Sequence, residues 1–386
     1  MYRVLMQRPV VGFAVVIILL SFRQPFAPAD VESPRVVLGP GVKDLVVGPG
    51  MNAAGRDLRG SQFVTQNLNG AVFDGCSLYG VRIAGCSLKH ASFRGAVFAG
   101  SEVDVTPSDE GANFTDASIN GVSRFGQSRP IRFNFLYGID LHLTPQQLMS
   151  TWSYKNKDLH QCVVRASYPY PSSEVASFNF QGADLREATL LGNLSKSDFT
   201  GAHIDGAFFG NDSITFGQLA STRDFRHRRL RVRLFCSGKP GPTSSEKWDF
   251  SHINLTGSDL SFRPSDADFT DATIRDCTIR NGLSIAQLYS THSYQQGDLT
   301  GLHLWWIDLS GFDFSGVNLT GGTFAHCKFA RTNIEDAVIT GARFFATSDL
   351  TVEQIKSTWN YKHGRMNGID LPSELNTALA EEGETR

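Results

Sequence analysis

The chain has 386 residues, and its 36 basic and 38 acidic side chains give a formal net charge of −2. Such a balanced charge supplies no overall field that would attract nucleic acid or an anionic membrane surface, so no nucleic-acid partner is expected. The 28 phenylalanines and 37 glycines, against 5 methionines, favour a fold of tight corners around a ring-rich interior over packed helices.

The N-terminal segment has the pattern of an export signal. Arg3 and Arg8 precede an apolar run over residues 10–22, and Ala27 and Ala29 form a small-x-small cleavage site. The run is shorter than the roughly 20 residues of a membrane-spanning helix. Because the cleavage site lies far from the run, an uncleaved membrane anchor formed by the same residues is the alternative. In both cases the body is expected outside the cytoplasm, in the periplasm or the extracellular space.

An apolar residue returns every five positions through most of the chain. In the first long block these residues are Leu58, Phe63, Leu68, Phe73, Leu78, Ile83, Leu88, Phe93, Phe98 and Val103. In the last block they are Leu299, Leu304, Leu309, Phe314, Leu319, Phe324, Phe329, Ile334, Ile339 and Phe344. Neither an α-helix nor a flat strand has this period, and the period-two alternation of a β-sandwich is mostly absent.

The residue two before each apolar centre is usually small, the residue just before it is often Asp, Asn or Ser, and Gly is common two after. "GADLREATL" and "FDFSGVNLTGGTF" show this unit clearly. The pattern closely resembles the pentapeptide repeat family, whose unit is A-(D/N)-(L/F)-x-x, and it covers most of residues 58–371. The resemblance implies an all-β solenoid, a right-handed quadrilateral β-helix with four pentads per coil. Residue n should then lie over residue n+20, with the centres filling the lumen.

A second repeat of about 70 residues interrupts the pentads. Its four copies are "LTPQQLMSTWSYKNKDL" from Leu143, "ITFGQLASTRDFRHRRL" from Ile214, "LSIAQLYSTHSYQQGDL" from Leu283 and "LTVEQIKSTWNYKHGRM" from Leu350. Each copy opens with a capping box, formed by Thr144 and Gln147, Thr215 and Gln218, Ser284 and Gln287, and Thr351 and Gln354. A helix of one to two turns should follow each box, and pentads should resume at Tyr154, Phe225, Tyr294 and Tyr361.

These four helical insertions have two interpretations. They form a ridge that binds a partner, or they fill corners and space the modules along the rod. We favour the second, and the last copy, near the chain end, is then a candidate cap for the exposed strand edges.

The repeat divides the chain into four regions. They are a signal peptide or N-terminal anchor over 1–29, a linker over 30–52, the pentapeptide-repeat β-helix over 53–371 and a C-terminal tail over 372–386. The tail is polar and is expected to fray or to form one short helix.

Six cysteines in an exported chain raise the question of disulfides. Four of them occupy the small inward position of a pentad: Cys76, Cys86, Cys277 and Cys327. They are predicted to be buried free thiols that act as small apolar residues. Cys162 and Cys236 lie off the best pentads, and a bond between them is the less favoured alternative.

The sequence predicts no catalytic, cofactor-binding or metal-binding residues. It has no G-x-S-x-G, no H-E-x-x-H, no phosphate-binding glycine loop and no C-x-x-C. The many Asp and Asn residues sit beside pentad centres, where bonding within turns explains them.

Two tryptophans in succession, Trp305 and Trp306, are one candidate for an aromatic contact. Since side chains alternate across a strand, at most one of them can face inward. An exposed ring could stack on a sugar or a partner protein. Buried under a neighbouring loop, the pair would be purely structural.

An arginine-rich segment over residues 223–233 is the other candidate. Arg228 and Arg233 would fall at the small inward position, which cannot hold an unpaired charge cheaply, so the coil must deform or change register there. Alternating apolar residues over 230–234 suggest a local strand with its arginines on one outer face.

Arg226, Arg229 and Arg231 should point outward from this segment. Several arginines on one face form a plausible anion site for an acidic envelope component, such as a polysaccharide or lipid head group. The alternative is that they pair with nearby acids such as Asp224 and Glu246.

Three function classes follow. The leading one is a non-catalytic exported scaffold or binding module without a cofactor, whose partner is an unknown protein or an acidic envelope component. The resemblance also implies a topoisomerase-binding DNA mimic, but such mimics are strongly acidic and cytoplasmic, which this chain does not resemble. The third class is an enzyme with a site between the rod and its loops.

Overall fold

A computed structural model of the chain describes residues 34–39, 42–103, 111–120, 143–165, 177–210, 214–235, 247–261, 267–280 and 282–384. In these residues the pentads stack as coils along one axis, and short parallel strands mark one face of the rod. The predicted signal or anchor over 1–29 lies outside the described residues.

The strands form two sheets. The first contains β1 (Arg35–Val37), β2 (Gln62–Val64), β3 (Arg82–Ala84) and β4 (Glu102–Val103) in that order. The second contains nine parallel strands: β5 (Val163–Arg165), β6 (Thr189–Leu191), β7 (Phe208–Gly210), β8 (Arg233–Phe235), β9 (Asp259–Ser261), β10 (Thr278–Arg280), β11 (His303–Trp305), β12 (Thr323–Ala325) and β13 (Arg343–Phe345).

The register confirms the twenty-residue coil. Phe63 pairs with Ile83, and Phe324 pairs with Leu304 on one side and Phe344 on the other. All five side chains are buried, because the middle residue of each strand points into the lumen while its two neighbours point outward. The chain thus forms the right-handed quadrilateral β-helix predicted from the repeat.

Stacked rings fill the lumen along the rod. Phe73 and Phe93 lie 4.8 Å apart between ring centroids at an interplanar angle of 3°, and Phe93 and Phe114 follow at 5.1 Å and 9°. Ala71 and Ala91, at the small position before two of these rings, are fully buried. Small residues there let each corner close around the rings of the core.

Each of the four insertions contains two helices. They are α1 (Pro145–Ser150) with α2 (Trp152–Lys155), α3 (Phe216–Ser221) with α4 (Arg223–Arg226), α5 (Ile285–Ser290) with α6 (His292–Gln295), and α7 (Val352–Ser357) with α8 (Trp359–Lys362). All four predicted capping boxes are present. The prediction that pentads resume at Tyr154, Phe225, Tyr294 and Tyr361 was wrong, since these residues lie in the second helices.

A second hydroxyl cap produces these extra helices. Thr151, Thr222, Thr291 and Thr358 are fully buried, and each side chain accepts a bond from the backbone N–H three residues later. A buried threonine at the junction therefore ends the first helix and starts the second.

The helical pairs are built into the coil. The glutamine of each capping box also donates from Nε2 to a carbonyl of the preceding coil: Gln147 to Ala112, Gln218 to Leu194, Gln287 to Ala267 and Gln354 to Thr332, at distances of 2.7–2.8 Å. One side chain thus caps a helix and continues the bonding between coils. The contacts support the interpretation that the insertions are corners of the rod.

The helical pairs recur every third coil. Val164, Leu190, Phe209 and Leu234 pair in succession, and one helical pair precedes Val164 while the next precedes Leu234. The same three-coil interval separates Leu234 from Leu304. At about 4.8 Å per coil the pairs stand about 14 Å apart along the axis.

Both ends of the described rod are covered. Strand β1 pairs antiparallel with β2, and Leu38, Leu45 and Val47 pack against the core, so part of the segment expected to be a linker is folded. At the other end α9 (Ser373–Glu384) covers the last coil with Leu375 and Leu379. The tail is the single short helix that was one of the two expectations.

The cysteines in the described residues are buried free thiols: Cys76, Cys86, Cys162, Cys277 and Cys327. Burial raises the pKa of Cys277 to about 12 and that of Cys327 to about 11. The prediction for the four pentad cysteines is confirmed. Cys236 lies outside the described residues.

Across the described parts of the chain, no helix has both the length and the apolar character needed to cross a membrane. The apolar run over residues 10–22 lies outside these parts.

Candidate binding surface

Trp305 and Trp306 both lie on the outer surface of the rod. Leu304 and Ile307, on either side of them, are the buried residues of this segment. Trp305 ends β11 and is half-buried, whereas Trp306 is 52% exposed at the following corner. Neither ring enters the lumen, which agrees with the prediction that at most one could.

The two tryptophans belong to a connected row of rings along the rod. Trp305 and Trp306 have centroids 5.7 Å apart, Trp306 stacks on His326 at 5.3 Å and 6°, and His326 meets Phe345 edge-on at 5.6 Å. We call Trp305, Trp306, His326 and Phe345 the aromatic strip. It spans β11 to β13, and Arg280 extends it by lying over the Trp305 ring at 4.8 Å.

The register of the coils places these rings together. Trp305, Ala325 and Phe345 are paired neighbours at the outward position after the strand centre. Trp306 and His326 follow at the corner with φ of 54° and 53°. This left-handed corner is a regular part of the coil, because Thr65, Gly85 and Ala346 have the same backbone conformation after their strands.

Two arginines lie beside the strip. The outward positions of β10 to β13 include Arg280 and Arg343 and no carboxylate. Arg343 is exposed, while Arg280 pairs with Asp259 of the preceding strand at 3.4 Å. Burial lowers the pKa of His303, in the middle of this face, and so favours its neutral form.

The arginine-rich segment lies elsewhere on the rod, at α4 and β8. The alternation correctly predicted three buried residues: Leu230, Val232 and Leu234. Arg229, just before them, and Arg231, between the first two, are exposed. The end of α4 brings another exposed side chain, Arg226, to the same region.

Arg231 already has a partner. Its guanidinium donates to Asp205 through Nε at 3.0 Å and Nη2 at 2.6 Å. The alternative that these arginines pair with acids therefore holds for Arg231, although its partner was not one of the two acids named. Asp224, one of those two, accepts from the Ile204 N–H at 2.6 Å and lies 3.3 Å from His203. Glu246, the other acid, lies outside the described residues.

The prediction that the coil must deform or change register, so that Arg228 and Arg233 avoid the inward position, is confirmed. Arg228 follows α4 as an exposed residue with φ of 56°, and Arg233 lies outward with its guanidinium 5.7 Å from the Phe208 ring. The helical pair takes up the extra residues, so the register resumes at Leu230 without a buried charge.

A cavity of about 370 Å³ opens beside Arg231. It is lined by Glu187, Gly206, Arg231, Val232, Arg233 and Gly257. The cavity arises because one face of this coil is one residue shorter than usual. Leu234 follows Leu230 after four positions, whereas five separate the corresponding residues of the neighbouring coils. This coil therefore lacks the corner residue that would fill the space. The lining carries both charge signs, and Glu187 accepts from Gln161 at 2.8 Å.

One group of side chains in the described residues has the spacing of metal ligands. Atoms of Asp158, His160 and Asp184 lie within 4.8 Å of one another. His160 Nδ1 lies 2.5 Å from Asp158, whose other oxygen accepts from Asn120, and Arg186 pairs with Asp184 at 2.6 Å. Both carboxylates therefore already have partners within the protein. The sequence did not indicate the group, because Asp158 and Asp184 become neighbours only through a lengthened coil.

A family model of pentapeptide repeats matches eight copies in the chain, over residues 56–95, 76–103, 178–211, 298–336 and 307–344. A comparison with curated proteins found no match. Among solved structures, the chain is similar to HetL, a pentapeptide repeat protein involved in heterocyst differentiation regulation from the cyanobacterium Nostoc sp. strain PCC 7120. The identity is 15% and the TM-score 0.16, over 78% of this chain and 85% of that chain. The chain is also similar to a trypsin-treated variant of QnrB1, a plasmid-mediated fluoroquinolone resistance protein. The sequence identity is 15% and the TM-score 0.17, over 86% of this chain and 94% of that chain.

Proposed function

Because the chain belongs to the pentapeptide repeat family, we propose that it is a non-catalytic, exported rod that binds a partner through the aromatic strip. The observation that carries this proposal is the exposure of connected rings: Trp306 is 52% and Phe345 is 59% exposed. Contiguous exposed apolar surface marks interaction sites on proteins that otherwise bury such groups.

The fold itself does not need these rings. The lumen is filled by the strand centres, such as Leu304 and Phe344, and the outward positions impose no apolar requirement. Large rings kept exposed at positions that the core does not use are better explained by binding than by packing.

The charge of this surface argues against the DNA-mimic alternative. A mimic of nucleic acid needs rows of carboxylates, whereas the outward positions of β10 to β13 hold Arg280 and Arg343 and no acid. The net charge of −2 for the whole chain supports the same choice.

Export rests on the sequence of the N-terminal 29 residues. If the signal is cleaved, the intact mass of the protein from its native host should correspond to a chain that begins at Asp30. A membrane-bound chain that begins at Met1 would support the anchor. A chain that begins at Met1 and is recovered in the soluble cytoplasmic fraction, without detergent, would disprove both forms of export.

Capture experiments with envelope fractions test the binding role. The double variant Trp306→Ala/Phe345→Ala should lose the partners that the wild-type chain retains. Trp152→Ala is the matched control, because Trp152 is also exposed, at 42%, but lies on α2. If the double variant captures the same molecules as the wild type, the aromatic strip is not the binding surface.

A further inference from the structure

We propose that the ligand of the aromatic strip is an acidic polysaccharide that runs along the rod axis. This inference rests on the proposed function and adds the chemistry of the ligand. Three features carry it: the exposed aromatic rings, their linear arrangement across coils, and the exposed Arg343 on the same strand as Phe345.

Aromatic side chains provide the first half of the recognition. A sugar ring has an apolar C–H face and a polar rim, so it packs flat on an exposed aromatic ring while its hydroxyls stay in water. Trp306 and Phe345 offer more than half of their surface to solvent. His326 covers one face of the Trp306 ring at 5.3 Å and meets the Phe345 ring edge-on at 5.6 Å. The three rings are therefore in contact along the rod, and a sugar would pack on the ring surface that they leave exposed.

The direction of the strip fits a chain of sugars. Its rings come from successive coils, and the backbones of β11, β12 and β13 are bonded in register along the axis. The surface is therefore long in the axial direction, and it repeats at the coil rise of about 4.8 Å. A linear polysaccharide can contact several coils at once. Each stacking contact is weak, but together they raise the overall affinity.

Arginine provides the second half. Arg343 is exposed on the same strand as Phe345, and Arg280 lies over Trp305 at the other end of the strip. A guanidinium binds a carboxylate through two parallel hydrogen bonds, and sulfate groups in the same manner. Residues 301–307, 321–327 and 341–347, which form this face in three coils, contain no Asp or Glu. The neighbouring carboxylates lie towards the two ends of the strip, where Asp259 pairs with Arg280 and Asp370 is in register with Arg343.

The test measures the affinity of the full chain for polygalacturonate, with dextran as the neutral polymer. The wild type should bind polygalacturonate, with an affinity that falls as salt is added, and dextran at least about tenfold more weakly. Trp306→Ala and Phe345→Ala should each weaken binding about tenfold. Arg343→Gln should weaken it and flatten the salt dependence, and Arg343→Glu should weaken it further.

Trp152→Ala and Arg94→Gln are the matched controls, since both side chains are exposed away from the strip, and both variants should bind as the wild type does. All substitutions are at outward positions, so thermal melting should stay at the wild-type value. Equal affinity for dextran, or an unchanged salt dependence in Arg343→Gln, would overturn the assignment of an acidic ligand.

The two proposals fail in different ways. If no polygalacturonate binds while Trp306→Ala/Phe345→Ala still loses its envelope partners, the ligand is a protein or another molecule, and only the present inference falls. If the double variant keeps both polysaccharide and envelope partners, the aromatic strip has no binding role and both proposals fall.

Discussion

Phe324 shows how a single pentad centre holds the rod together. Its side chain is fully buried, and its ring lies 5.2 Å from that of Phe344 in the next coil and 5.7 Å from that of Phe329 on the next face. Phe324 thus makes ring contacts both along the rod axis, with Phe344, and across the lumen, with Phe329. Such inward residues could be predicted from the sequence, because a large apolar residue at every fifth position leaves a visible period.

Truncation of this residue tests that role. Phe324→Ala should lower the free energy of unfolding by about 3–5 kcal/mol, because it leaves a cavity that the stacked coils cannot close. Thr320→Ala is the control, since Thr320 is half-buried on the outside of the same coil. Thermal or urea unfolding of both variants gives the comparison, and equal, small effects would contradict the five-residue register.

Buried thiols should make stability sensitive to alkaline pH. Burial raises the pKa of Cys277 from 9.0 to about 12, and the thiol donates to the Leu255 carbonyl at 2.9 Å. A raised pKa in the folded state leaves stability intact below 9.0 and reduces it as the pH rises from there towards 12, because only the unfolded chain ionises. The loss is about 1.4 kcal/mol per pH unit for one thiol in that window.

Urea unfolding below and above pH 9.0 measures this effect, with Cys277→Ala as the comparison. The variant should lose less stability than the wild type between the two conditions. An identical pH dependence in both proteins would show that this thiol ionises equally in the folded and unfolded chains.

At the scale of elements, the helical pairs were only half predictable. The first helix of each pair has a capping box, a signal that combines a hydroxyl with a glutamine three residues later. The second cap, such as Thr358, has a hydroxyl alone, and Tyr361 beyond it matched the next expected pentad centre. The five-residue period therefore concealed the second helix. At Arg228 and Arg233 it indicated that the register must change, but not that a helix makes the change.

Removal of a second cap should act locally. Thr358 donates to the Ile355 carbonyl at 2.7 Å and accepts from the Tyr361 N–H at 3.3 Å while fully buried. Thr358→Ala should cost about 1–2 kcal/mol and speed hydrogen exchange in α7 and α8. Thr351→Ala, at the exposed first cap, should cost about 1 kcal/mol. Faster exchange that reaches β2 and β3 would contradict a local role.

At the scale of the whole molecule, the sequence showed a repeat near 70 residues without showing what it contains. Coils with a helical pair are longer than plain ones; Ile279 pairs with Leu304, 25 positions later. Three coils per module therefore became visible only from the strand pairings. The aromatic strip was predictable only at Trp305 and Trp306, since outward positions follow no period, and its other members, His326 and Phe345, are brought there by the register.

A rod of stacked coils should also lose its structure from the ends, because each coil contacts only its neighbours. At the C-terminal end, Leu375 and Leu379 of α9 pack on the core, and Asn376 donates to the Leu371 carbonyl at 3.0 Å. A chain that ends at Leu371 should therefore expose the last coil. Hydrogen exchange should become faster in α7, α8 and β13 and stay unchanged in β2 and β3.

A chain that ends at Glu381 is the control for this truncation, because it keeps both leucines of α9 and should exchange as the full chain does. The exposed coil of the shorter chain should also increase self-association in size-exclusion chromatography, since its apolar centres and strand edges lose their cover. Uniformly faster exchange along the rod in the chain ending at Leu371 would mean that the coils unfold as one unit, and nearest-neighbour stability would then not describe this protein.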